Sequence, residues 1–247
     1  MLRKVAKSAG YVLAGTVVFL GAQVVYTLKR DFPLTDPQQP VAGEFGDPAD
    51  DKLKFVVIGD STTVGVGTTP ENSFPWLLAR WLAGNFHVTL EVVGFSGATT
   101  ADVARTQVDE ALELDPDLIV VEIGANDTTH LTPIFRVRRN MAEALDRLSE
   151  SDADLVVVGP PHMGTSPIFL EPLRTLTGWR GDMVRRAIEA EAKERDLPFV
   201  DLAAGTRRAF ETEPEKHYSS DWFHPGAAGY KLWAEVMYPT VLKAAHG

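Results

Sequence analysis

The sequence predicts a three-layer α/β/α domain on a mainly parallel, five-stranded sheet, preceded by an N-terminal transmembrane helix. Three observations carry this expectation. From Leu53 onward, short β-rich runs alternate with helical patterns. Most of those runs are nearly continuous in apolar residues, as parallel strands covered on both faces must be. Ahead of them lies an uncharged stretch bracketed by basic residues.

That stretch, "YVLAGTVVFLGAQVVYTL", spans residues 11–28. As a helix it would be about 27 Å long, close to the ~30 Å hydrocarbon core of a bilayer. A buried soluble helix would show a polar stripe, and Thr16, Gln23 and Thr27 are too few to make one. A cleaved signal peptide should end in a small-x-small site, and "LGA" before Gln23 puts leucine where a small residue is wanted. Arg3, Lys4 and Lys7 with the α-amino group outweigh Lys29 and Arg30, which favours an inside N-terminus and an exported body. The expectation is a membrane anchor over residues 1–30 with the body outside the cytoplasm. Secretion after signal cleavage is the alternative.

Residues 31–52 hold four prolines and many acids without apolar periodicity, and so read as an extended, solvated tether. A single domain is expected over 53–247. Its strand candidates are "LKFVVIG" (53–59), "HVTLEVVG" (87–94), "DLIVVEIG" (117–124), "ADLVVVG" (153–159) and "LPFVDL" (197–202). Helix candidates lie near 73–83, 99–113, 133–149, 179–195 and 225–243. Ile134, Val137, Met141, Leu145 and Leu148 recur at helical spacing behind Pro133. Thr99 followed by Asp102 resembles a capping box. Strand–helix alternation of this kind implies a parallel sheet with helices on both faces.

Composition narrows the function classes. The chain of 247 residues carries a net charge of −10. Five basic residues and no acidic one precede Asp31, leaving 19 basic against 34 acidic residues in the remainder. Such an acidic body argues against a nucleic-acid partner. There is no cysteine, which excludes disulfides, thiolate catalysis and cysteine-ligated metals. No histidine pair has the spacing of a metal site.

In parallel α/β sheets, ligands bind beyond the carboxyl ends of the strands. The segments there are "GDSTTVGVG", "GFSGATT" and "GANDTTH", and "DWFHPGAAGY" precedes the last helix. The first has neither the lysine of a phosphate-binding loop nor the third glycine of a dinucleotide fingerprint, and no G-x-S-x-G elbow is present. Taken singly, Ser61, Gly97 and Asn126 each read as turn or cap residues, and Asp221 with Pro225 reads as the start of a helix. Taken together they have a chemistry. A serine hydroxyl needs a base, and His224 is the residue type suited to that task near neutral pH. Asp221 could hold its far ring nitrogen. Backbone N–H groups at Ser61 and Gly97 and the Asn126 amide are the donors that an oxyanion hole needs. His130 and His162 are further candidates to line the pocket.

"GDS" at 59–61, Gly97 in "GFSGATT", "GAND" at 124–127 and "DWFHPGAAGY" resemble, in order, the four signature blocks of the SGNH/GDSL hydrolase superfamily. The resemblance spans about residues 53–243. It implies a flavodoxin-like sheet and an esterase acting through an acyl-serine, with Ser61, His224 and Asp221 as triad and Ser61, Gly97 and Asn126 as oxyanion hole. It implies no cofactor and no metal. A small-molecule, glycan or lipid ester is the expected substrate. The first block reads GDST rather than GDSL, one residue beyond the nucleophile. Two other readings use the same residues: a membrane-tethered O-acyltransferase, or a binding module that has lost activity.

Overall fold

The computed structural model describes residues 15–16, 18–23, 25–26 and 41–247. The expected anchor over 1–30 and residues 31–40 of the expected tether lie largely outside that set. Among the described residues, no helix is long and apolar enough to cross a membrane.

Six strands form one sheet: β1 (Gly43–Phe45), β2 (Lys52–Gly59), β3 (His87–Val92), β4 (Leu118–Glu122), β5 (Asp154–Val158) and β6 (Phe199–Val200). Their order is β1-β3-β2-β4-β5-β6. All pairings are parallel except that of β1 with β3. The five parallel strands are those expected, in the flavodoxin-like order. The sixth is new, and it lies inside the span read as a tether. Gly43 pairs with Leu90 and Phe45 with Val88. The Phe45 ring packs edge-on against Trp76 at 4.9 Å, and Val41 is buried, so three residues find enough contact to extend the sheet.

The helices are α1 (Phe74–Leu82), α2 (residues 100–113), α3 (Ala125–Thr129), α4 (Ile134–Leu148), α5 (Leu173–Glu194), α6 (Leu202–Thr212), α7 (Pro214–His217) and α8 (Ala227–Ala244). Helix α2 contains a π turn at Val103–Gln107. The Asp102 carboxylate accepts the Thr99 N–H at 2.8 Å and its hydroxyl at 2.7 Å, the contact that the Thr–x–x–Asp spacing suggests.

Three expected elements shift. Helix α5 starts at Leu173 rather than near 179, because the Glu171 carboxylate accepts the Thr175 hydroxyl at 2.8 Å and organises the first turn. The predicted strand over 197–202 is only two residues long. Asp201 ends it by accepting the Ala204 N–H at 2.9 Å, which caps the unanticipated α6. The last helix begins at Ala227 with Gly226 as its cap, so Pro225 is not its first residue.

Successive strand residues face opposite layers. On β2, Phe55 and Val57 point into a core shared with α1 and α8, and Val56 and Ile58 into one shared with α2, α4 and α5. The chain turns to opposite sides of the sheet between β2 and β4, where such folds open a crevice.

Candidate active site

Ser61 follows β2 in a run of tight turns. Thr63 N–H bonds to the Asp60 carbonyl at 3.1 Å and Val66 N–H to the Ser61 carbonyl at 3.0 Å. Gly59 makes this exit possible. A Cβ there would lie 2.0 Å from the Glu122 carbonyl oxygen, so β2 and β4 approach too closely for any side chain. The Gly59 carbonyl in turn accepts the buried Gln107 amide at 2.8 Å, from the π turn of α2. The serine is thus held from both sides.

The segment 218–226 carries the acid and the base. Ser219 N–H bonds to the His224 carbonyl at 2.8 Å, Trp222 N–H to the Ser219 carbonyl at 3.1 Å, and Gly226 N–H to the His217 carbonyl at 2.8 Å. Trp222 takes a positive φ of 58° to complete the turn. Ser166 braces it from outside, donating its hydroxyl to the Trp222 carbonyl at 2.7 Å. Within this frame, Ser61 Oγ lies 2.9 Å from His224 Nε2, and His224 Nδ1 lies 2.5 Å from Asp221 Oδ2. Asp221 Oδ1 accepts three further bonds, from Ser219 Oγ (2.7 Å), Phe223 N–H (2.8 Å) and His224 N–H (2.9 Å). Burial works to raise the Asp221 carboxyl. The His224 contact, His224's attraction and the loop donors outweigh it, and hold the group at about 2. Asp221 serves its loop and its histidine; it does not cap α8.

Gly97 stands at an exposed turn with φ 87°, where Ala98 N–H bonds to the Phe95 carbonyl at 3.2 Å. The space beside it is open. Asn126 Nδ2 lies 2.9 Å from the Ala98 carbonyl and 3.4 Å from Asp60 Oδ2. Among the described residues, neither Ser61 N–H nor Gly97 N–H donates to a protein acceptor. An amide nitrogen and two unengaged N–H groups thus occupy the ends of three neighbouring strands.

A small cavity of about 30 Å³ opens beside Ser61 and His224, lined also by Pro161, His162, Met163 and Phe223. His162, whose imidazole is pushed down chiefly by burial, also lines a larger open cleft of about 600 Å³ with Arg174, Trp179, Asp182 and Arg207. His130 is exposed and lines neither.

Several buried polar residues near the site escaped the sequence reading, Gln107 among them. Asp127 is fully buried and ties α3 to α2, accepting the Thr100 N–H and hydroxyl, both at 2.9 Å. Asp60, Thr62 and Glu122 lie together behind Ser61. Two of them left a signal: Glu122 is the one acid inside the apolar run of β4, and Thr62 is the residue that makes the first block GDST.

Residues 57–232 match the model of the GDSL-like Lipase/Acylhydrolase family. A GDSL-like esterase of Mycobacterium tuberculosis is 33% identical over 191 residues, covering 75% of this chain and 60% of that protein. The chain therefore spans less than two thirds of the length of that relative. Esterase TesA of Pseudomonas aeruginosa is 23% identical over 191 residues, covering 76% of this chain and 87% of that one. Among solved structures, a lipase/acylhydrolase from Enterococcus faecalis superposes with a TM-score of 0.63 at 20% identity, covering 77% of this chain and 96% of that chain.

Proposed function

Because the chain belongs to the GDSL-like lipase/acylhydrolase family, we propose that it is a serine esterase that hydrolyses a carboxylic ester through an acyl-serine. The observation that carries the reading is the continuous contact Ser61 Oγ–His224 Nε2–His224 Nδ1–Asp221 Oδ2, at 2.9 and 2.5 Å. His224 Nε2 takes the Ser61 proton as Oγ attacks the ester carbonyl carbon. Asp221 fixes the tautomer with the proton on Nδ1 and stabilises the imidazolium. The carbonyl oxygen, now an oxyanion, is met by the N–H groups of Ser61 and Gly97 and the Asn126 amide. Collapse of the tetrahedral adduct expels the alcohol, which takes the proton from His224 Nε2. Water, deprotonated by the same nitrogen, then attacks the acyl-serine; as that second adduct collapses, His224 Nε2 returns the proton to Ser61 Oγ and the acid is released.

The test is covalent. The full-length chain and its Ser61→Ala variant are treated with a fluorophosphonate, and any adduct is located by peptide mass spectrometry. A single adduct on Ser61, absent from the variant, is expected. A folded wild type that takes up no label would end the esterase reading. The uncharged run 11–28 and its basic flanks support a further part of the reading, in which an N-terminal helix tethers the domain outside the cytoplasm. Release of the full-length protein from membranes by alkaline carbonate would refute that part alone.

A further inference from the structure

Asp60, Thr62 and Glu122 form a buried chain that the mechanism above does not use. Asp60 and Glu122 are fully buried and Thr62 is 5% exposed. Thr62 Oγ1 lies 3.0 Å from Asp60 Oδ1 and is hydrogen-bonded to Glu122 Oε2. A hydroxyl has one hydrogen, and an ionised carboxylate can only accept. With both acids ionised, one of the two contacts would set lone pairs against each other. The chain closes only if one acid keeps its proton and donates it to Thr62, which donates its own hydrogen to the other.

The surroundings decide which acid that is. Glu122 has Thr62 as its partner at Oε2, and its buried Oε1 has none among the described residues. Asp60 is better supplied: Oδ1 also accepts the Thr62 N–H at 3.0 Å, and Oδ2 faces the Asn126 amide nitrogen. Burial pushes both carboxyls up. Repulsion from Asp60 drives Glu122 further, while the Thr62 donors and the attraction of His224 pull Asp60 back. Thr62 is also where the chain departs from the GDSL spelling. The hydroxyl that replaces a leucine meets the acid that interrupts an apolar strand.

We propose that Glu122 is the neutral, proton-donating end of a Glu122–Thr62–Asp60 chain, and that the single charge left on Asp60 makes these three positioning residues. Asp60 Oδ2 at 3.4 Å and the Ala98 carbonyl at 2.9 Å then fix which end of the Asn126 amide is the nitrogen. Asp60 also faces His224 as a second carboxylate behind the serine. The other titratable groups facing this chain are Asp127 from α3 and Tyr230 from α8, whose hydroxyl is engaged by the Val66 carbonyl at 2.7 Å. The kinetic part rests on the esterase reading; the location of the proton does not.

Infrared spectroscopy on the full-length protein at pH 7 tests that location directly. A protonated-carboxyl C=O band is expected in the wild type, lost in Glu122→Gln and retained in Asp60→Asn. No band in the wild type, or a band that survives Glu122→Gln and vanishes in Asp60→Asn, overturns the assignment. Kinetics test the positioning role. Thr62→Val removes a donor to the buried Asp60 charge and should lower kcat about 10-fold. Asp60 then keeps a proton to higher pH, a protonated His224 loses an attractive neighbour, and the acidic limb of kcat/KM moves to lower pH. Thr62→Ser should restore both the rate and the limb. An unchanged rate, or a slower one with an unmoved limb, refutes the positioning role. Absence of a fluorophosphonate adduct in the wild type would sink the esterase reading and leave the infrared answer standing.

Discussion

Both Asp221 oxygens are engaged, one by its own loop and one by His224. This has a consequence for stability. The carboxyl is held at about 2 against an ordinary 3.8, so it ionises more readily in the folded than in the unfolded chain. Its contribution is therefore complete above about pH 4 and is lost as the pH falls through about 2. Urea titrations of wild type and Asp221→Asn should show a gap at pH 6 that narrows at pH 2.5; a gap independent of pH would mean the charge is not what Asp221 contributes. Asn126 makes a kinetic prediction. Removing one oxyanion donor costs on the order of 10²–10³ in kcat. Asn126→Ala should show such a loss in steady-state assays with the circular dichroism spectrum retained, and a near-normal rate would remove Asn126 from the oxyanion hole.

At the scale of elements, the close approach of β2 to β4 constrains the site from behind. A methyl group on Gly59 would collide with Thr63 Cγ2 at 2.6 Å and with the Glu122 carbonyl oxygen at 2.0 Å, and the carbonyl cannot retreat without opening the sheet. Gly59→Ala should cost about 3 kcal/mol or more, measured as a drop in the urea midpoint; a change below ~1 kcal/mol would show that the strands can separate freely. The legibility of the elements follows the same physics. Strands β2 to β5 were readable because burial on both faces demands apolar runs such as "FVVIG". Strand β1 was not, because three residues carry no period and the segment sits in acidic, proline-rich surroundings. Helix α6 was hidden because Asp201 follows an apolar pair and looks like the end of a strand, although its side chain starts a helix. The four segments that meet at the site were placed by following the strands to their ends. The Glu122–Thr62–Asp60 contact was illegible, since it joins residues 60 positions apart and no local pattern reports such a pair.

For the molecule as a whole, the space around the serine divides in two. The cavity of about 30 Å³ next to Ser61 is walled by His162, Met163 and Phe223, whereas the cleft of about 600 Å³ beyond His162 is wide and carries both charge signs. An acyl group confined to the smaller space is limited to a short chain, and each excess methylene is worth about 1–3 kcal/mol. Acetyl esters should therefore exceed octanoyl esters in kcat/KM at least ~10-fold; equal or reversed rates would place the acyl chain in the larger cleft. The edge strand bears on orientation. Because β1 runs against its neighbours, its first residue, Gly43, pairs with Leu90 near the finishing end of β3, and its last, Phe45, pairs with Val88 near the starting end. The polypeptide thus enters the domain on the side where the parallel strands finish, the side that also presents Ser61 and His224.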